Sequence, residues 1–270
     1  MPALYANAPA EVADEAGRLV ALAWCLLGCG AVAAAVLVAG VTAPYGRYNT
    51  AGRSWIYGWN VPGRLAWFVQ EMPCVVASAT ALAYAPGELS RAQMALLAAF
   101  AVHYFHRACV FPFRMVGSKP SSLMTTVLAF AFCAANGYMQ TRWITAHAQP
   151  WLDSVPALTM ATGLVLFVVG MAINIHSDSI LLNLRKPGET GYVIPRGGMF
   201  DYVSGANFFG EIVEWLGFAL AGGCHLVPLS FALFTMCNIG PRALHHHAWY
   251  LTKFRDEYPR HRRALVPFVL

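Results

Sequence analysis

The chain has 270 residues, of which 58% are hydrophobic and only 11% charged. A soluble domain of this length carries about a quarter charged residues, so the composition argues against a water-solvated fold and for lipid as the solvent. The net charge of +5 is too small to argue for a nucleic-acid partner.

Residues 1–18 contain Glu11, Asp14 and Glu15 and no basic leading region, so they do not read as a secretory signal. Crossing the bilayer core takes roughly 20 apolar residues, and the first such run covers Leu19 to Ala43. Within it, Gly28-x-Gly30-x-x-Ala33 spells a dinucleotide fingerprint. No strand precedes it and it falls in mid-span, so small residues at a helix contact explain it better. The next runs are Pro62–Tyr84, Ala92–Val110, Ser121–Met139 and Val155–Ile175, and two more lie between Asn207 and Ile239, parted near Gly222, Gly223 and His225. The pattern predicts an all-α membrane bundle of seven transmembrane helices forming one domain over residues 1–270.

Charge placement tests that count. With seven spans, Arg18, Arg91 and Arg142 fall on one side, and the remaining fifteen of the 18 Lys and Arg fall on the other. By the positive-inside rule the N-terminus is outside and the C-terminus cytosolic. The polar connection His176–Ala206 is then cytosolic, and a connection of this length suits a ligand cover.

Ionisable groups within the bilayer are costly and therefore functional candidates. Glu71 lies about 13 Å into the second span, and Tyr104 about 9 Å from the cytosolic end of the third. The two helices run antiparallel, so the side chains share a depth. Two readings stay open from spacing alone: a structural bond between helices, or a grip on a polar group of a ligand. Further sets share helix faces at three- and four-residue spacing: Asn174 with Asp178, Asn207 with Glu211 and Glu214, and Arg242 with His246 and Tyr250. All lie at the cytosolic edge, as do Lys119, Arg185 and Lys186. Each set alone reads as a solvated helix face; together, amides, carboxylates, imidazole and guanidinium suit a large phosphate-bearing cofactor. With no Gly-rich phosphate loop, its site is non-Rossmann. His103-x-x-His106 and the triple His245–His247 provide too few ligands for a di-iron centre, and no metal is expected. The seven cysteines form no CxxC pair and read as small apolar packers.

Several blocks carry a family resemblance. They are Ala66-Trp-Phe-Val-Gln-Glu-Met-Pro73, Val102-His-Tyr-Phe-His-Arg107, Gly170-Met-Ala-Ile-Asn-Ile-His-Ser-Asp178, Leu184-Arg-Lys-Pro-Gly-Glu189, Tyr202–Glu211 with Glu214-Trp215, Arg242–His247 with Tyr250, and Tyr258–Phe268. This set resembles the steroid 5α-reductases from Arg64 to the end of the chain. The Gln70-Glu71 and His103–Arg107 blocks resemble the steroid branch more than the polyprenol or enoyl-CoA reductases. The resemblance implies a seven-helix fold, NADPH bound from the cytosolic side, mostly by the half from about residue 120 to 270, and a steroid entering from the membrane lipid. It implies that Glu71 and Tyr104 hold the steroid 3-oxo group, with Gln70 beside them. It also implies cofactor contacts from Asn174, Asp178, Arg185, Lys186, Tyr192, Asn207, Glu211, Arg242, His246 and Tyr250, with Lys119 and Arg107 as further polar contacts. Val193 departs from the family, whose members often carry Arg after this Tyr, and Arg196 is a substitute. The segment Phe111–Val116 departs as well.

The reaction so implied is NADPH-dependent reduction of the Δ4 double bond of a 3-oxo-Δ4 steroid to the 5α-reduced ketone. A monomer is expected, in the endoplasmic reticulum membrane of a eukaryote or the inner membrane of a bacterium. The alternatives are a related reductase of a sterol, polyprenol or enoyl-CoA double bond, and a non-catalytic sterol-binding membrane protein.

Overall fold

The computed structural model describes residues 10–41, 57–184 and 191–270. Arg47, Arg53, Arg185 and Lys186 lie outside the described residues. The long helices are α1 (Ala10–Val38), α2 (Gly63–Ala83), α3 (Arg91–Phe105), α5 (Leu123–Arg142), α7 (Ala157–Leu182), α8 (Ala206–Ala221) and α9 (Leu226–Phe254). The short helices α4 (Phe111–Arg114) and α6 (Gln149–Leu152) each follow a π-helical turn, His106–Val110 and Trp143–His147 respectively. The strands β1 (Asn60–Val61) and β2 (Ser121–Ser122) pair antiparallel.

Four helical segments are long and apolar enough to cross a membrane: Ala13–Val38, Gly63–Ala83, Arg91–Arg114 and Ala157–Leu182. Their outward faces are apolar. In α7 the side chains of Leu158, Val165 and Val168 are 78%, 62% and 64% exposed, while Asn174, Ser177 and Asp178 are buried. This reverses the usual arrangement of a soluble helix and fits a membrane protein. α7 also runs seven residues past the expected end at Ile175, because the polar face that starts at Asn174 continues through Asp178 against α8.

Contacts divide the chain into two compact units, one of Met1–Cys25, Thr42–Met160 and Gly222–Pro228, the other of Leu26–Val41, Ala161–Ala221 and Leu229–Leu270. In the first unit α2 packs on α3 and α5. Gly137 of α5 permits this, since a Cβ there would stand 3.1 Å from both Cys74 Cα and Ala77 Cβ of α2. Pro73 lies inside α2, where its ring cannot donate to the helix ladder. Ser90 and Gln93 close a capping box at the start of α3. Gln93 Nε2 also donates to Ile144 O at 2.7 Å, a carbonyl of the second π turn. Glu15 joins α1 to α5 by a two-pronged pair with Arg142 (2.9 and 2.7 Å) and a 3.1 Å contact with His147 Nε2.

In the second unit α7 and α8 interlock through glycine. A Cβ on Gly170 would collide with the backbone nitrogen of Glu214, and one on Gly163 with that of Ala221. Gly210 faces the backbone of Asn174 and Gly217 that of Phe167 in the same way. Two glycines seven residues apart on each helix let the antiparallel backbones touch. Gly30 of α1 is likewise a packing residue, where an added Cβ would stand 3.4 Å from Phe234 Cα, while Gly28 faces open space. After α9 the chain returns beside the entry to α8. Val203 and Arg263 form a parallel bridge, Ser204 N donates to Arg263 O at 2.9 Å, and Gly205 N to Ala264 O at 3.0 Å.

Candidate active site

In the first unit, α2, α3 and α5 bring a polar cluster into an apolar surround. Tyr104 is 3% exposed and lies two residues before the first π turn. Its hydroxyl accepts from Asn136 Nδ2 at 3.4 Å, and it is in electrostatic contact with Glu71, Cys74 and Cys133. Glu71 accepts from Gln70 Nε2 at 3.2 Å and faces the Cys133 thiol at 3.6 Å. Cys74 donates to Cys133 O at 3.1 Å. The structure therefore gathers Gln70, Glu71 and Tyr104, three residues picked out in the sequence, in one cluster. It adds Asn136 and Gln140, which the sequence reading passed over, and Cys74 and Cys133, read there as small apolar packers and here also hydrogen-bonded within the cluster. A search restricted to ionisable groups cannot find Asn136 and Gln140, although two amides four residues apart in an apolar run were a visible signal.

Arg107 also belongs to the first unit. Its guanidinium lies over the Trp67 ring at 4.6 Å and the Phe111 ring at 4.8 Å, a cation–π arrangement that suits arginine away from water. The π turn His106–Val110 inserts an extra residue in the helix beyond Phe105 and carries Arg107, whose guanidinium meets these rings; such turns recur at functional sites. Lys119 is exposed in the segment before β2.

The second unit holds the other set. Asn174 and Asp178 are 2% and 4% exposed. Asn174 Nδ2 donates to Asn207 O at 3.0 Å and reaches Glu211 Oε2 at 3.5 Å, while Asn207 Nδ2 donates to Asp178 Oδ1 at 3.1 Å. The glycine interlock fixes this register, so the amides and carboxylates of two helices stand in one group. Glu214 is fully buried on α8. On α9, His246 packs on Phe208 with ring centres 5.3 Å apart. Tyr250 stacks on Tyr258 at 5.3 Å with the rings 8° from parallel, and Tyr192 meets Trp249 edge-on at 4.8 Å. Ser204 Oγ bridges His247 Nδ1 and Tyr258 Oη, both at 2.6 Å. Burial first, and Arg263 second, hold the His247 imidazole below its ordinary range, and burial pushes the Tyr258 phenol up. Arg262 is buried, donates to Pro195 O at 2.8 Å and lies 3.8 Å from Asp201. Arg242 lies on α9, one residue after Pro241, and Arg196 is exposed on the segment before α8. Among the described residues, no group of three or more His, Cys, Asp and Glu is placed to hold a metal ion.

Apolar helices with inward polar clusters define a helical protein of the membrane type. A family profile described as 3-oxo-5-alpha-steroid 4-dehydrogenase matches residues 119–270. The 3-oxo-5-alpha-steroid 4-dehydrogenase 1 of Mus musculus is 49% identical, covering 95% of this chain and 99% of its own. The Homo sapiens protein of that name is 44% identical over 96% and 97%. The 3-oxo-5-alpha-steroid 4-dehydrogenase 2 of Rattus norvegicus is 43% identical over 87% and 91%. The chain belongs to the 3-oxo-5-alpha-steroid 4-dehydrogenase family and is an oxidoreductase, a class that implies a nicotinamide cofactor.

Proposed function

We propose that this protein reduces the Δ4 double bond of a 3-oxo-Δ4 steroid, of the testosterone or progesterone type, to the 5α-reduced 3-oxo steroid, with NADPH as the reductant. The names of its relatives support the substrate class. The observation that carries the chemistry is the buried phenol of Tyr104 sharing a cluster with the carboxyl of Glu71.

The second unit's side chains fit the cofactor. Asn174, Asp178, Asn207 and Glu211 offer the amide and carboxylate groups that pair with carboxamide and ribose hydroxyls. Arg242, Arg196 and His246 supply charge and donors for phosphates, with Tyr192 and Tyr250 as aromatic walls; Arg185 and Lys186 complete the unit's basic set, and Lys119 of the first unit is a further polar contact by the family resemblance alone. NADPH, when bound, supplies the hydride for steroid C5.

The chain's own part follows from charge. As C5 is reduced, negative charge moves to the C3 oxygen. Tyr104 donates to that oxygen, and Glu71, held by Gln70 and Cys133, is its partner at the ketone. A donor fixed in a dry site stabilises developing charge far more than one in water. Arg107, sheltered by Trp67 and Phe111, adds positive potential to the same unit. Solvent supplies the proton that C4 takes.

We assign seven spans with the N-terminus outside and the C-terminus cytosolic, supported by the sidedness of Lys and Arg, and a single monomeric functional domain. The membrane is the endoplasmic reticulum or a bacterial inner membrane. Product analysis after incubating the purified protein with NADPH and progesterone tests the reading: the 5α-reduced ketone is expected. Oxidation of NADPH by a sterol alkene, a polyprenol or an enoyl-CoA and not by the steroid overturns it, as does steroid binding without NADPH oxidation.

A further inference from the structure

We infer that Asn136 and Gln140 of α5 are positioning residues that oblige Tyr104 to present its own hydrogen to the steroid ketone, an inference that rests on the role proposed for Tyr104.

The backbone oxygen of Val227 can only accept a hydrogen bond. Gln140 Nε2 donates to the backbone carbonyl of Val227 at 3.0 Å and, with its second hydrogen, to Asn136 Oδ1 at 3.2 Å. The two ends of an amide are interchangeable in shape, so hydrogen-bond partners decide which end points where. Turning Gln140 over would set its oxygen against the Val227 oxygen. The carbonyl of Val227 therefore fixes Gln140, Gln140 fixes the oxygen of Asn136, and the Asn136 NH2 is left facing Tyr104 Oη at 3.4 Å. Gln140 and Asn136 are 0% and 1% exposed, so bulk water does not relieve a reversed amide. Reversing either amide would set like groups against each other where no water separates them.

The consequence falls on the phenol. Its oxygen accepts the Asn136 N–H, so the Asn136 amide does not take up the phenol hydrogen. Cys74 stands at the hydroxyl, with its own S–H directed to Cys133 O. The sulfur lone pair it offers is a weak acceptor. A steroid ketone is a better acceptor, and the same oxygen bearing enolate charge is better still. The relay thus biases Tyr104 toward donation when charge arrives on the substrate, and the 3.4 Å contact tightens as the phenol becomes more strongly engaged.

The test is a double-mutant cycle. Asn136→Leu keeps the branched shape and removes the donor. It is expected to lower kcat at least tenfold, with the steroid KM within about threefold and an unchanged melting temperature. In a Tyr104→Phe background, the same substitution is expected to change the residual rate by less than twofold, because its target is gone. A purely structural tie between α3 and α5 would lower the rate equally in both backgrounds, and that result overturns the inference, as does native kcat in Asn136→Leu. If Asn136→Leu does not fold, Gln140→Leu is measured against the same criteria; failure of both to fold assigns the pair to structure and also overturns it. Full activity in Tyr104→Phe alone is a different outcome, which removes the proposed role of the phenol itself.

Discussion

In the second unit α7 and α8 meet through bare backbone at Gly163, Gly170, Gly210 and Gly217; in the first, α2, α3 and α5 meet largely through side chains, with amides, thiols and a carboxyl joined in one cluster. Backbone contact leaves no rotamers to adjust, so the spacing between Asn174 and Asn207 is set by the backbones themselves. Side-chain contact can be re-formed around different ligands. The contrast suits a constant cofactor in one unit and an apolar substrate, varied in outline, in the other.

Four experiments break or sharpen the contrast. The largest effect belongs to the interlock. Gly170→Leu places a branched chain where the Glu214 backbone stands, and neither helix can yield without parting. We expect no folded protein by detergent-solubilised size-exclusion chromatography, whereas Gly28→Ala, which meets nothing within 4 Å, folds and reduces substrate normally. Next come the charge-handling residues. Tyr104→Phe loses about 10²–10³ in turnover, the usual cost of removing one such donor, and Glu71→Gln, which takes the carboxyl from beside the phenol, loses turnover as well, while NADPH binding by calorimetry stays native in both. Equal losses in cofactor affinity would erase the division of labour between units.

A smaller change is expected from Asn174→Ala. It removes contacts to Asn207 and Glu211 and raises the NADPH KM about tenfold, a typical loss of about 1.4 kcal/mol for a polar contact. Steroid KM, measured at saturating NADPH, stays the same. The smallest effect concerns His225, between α8 and α9, which stacks on Trp143 at 4.7 Å and accepts from Val227 N at 3.3 Å through Nδ1. Burial lowers its imidazole from 6.5 to about 4. The unfolded chain therefore takes up a proton that the fold refuses, and stability falls as pH drops from about 6.5 toward 4. The melting temperature should decline between pH 7.5 and 5 less steeply in His225→Gln than in the native protein.

Much of this was legible in the sequence, and the limits have physical causes. Apolar runs placed α2 to within a residue at each end, because burial in lipid dictates both composition and length. Glu71 and Tyr104 stood out because charge and phenol are rare at such depth. The π turns did not, since an extra residue in a helix leaves no periodic trace when both faces are apolar. The neutral members of the cluster, Asn136 and Gln140, were hidden by a search weighted toward charge. The glycine pairs of α7 and α8 were visible at seven-residue spacing but became meaningful only when the two stripes were found facing one another. The end of α7 was misplaced because its last two turns are polar on the side that packs on α8.

The bridge between Val203 and Arg263 gives α8 and α9 a common base. A strap of hydrogen bonds at positions sixty residues apart in sequence turns the hairpin into a closed loop, and such distant partners find each other slowly. Asn207, Glu211, Arg242 and His246 all ride on that loop. Their amides should gain protection from hydrogen exchange together, late in refolding, as one cooperative block, so the surface proposed to take the cofactor is assembled in a single event and not residue by residue.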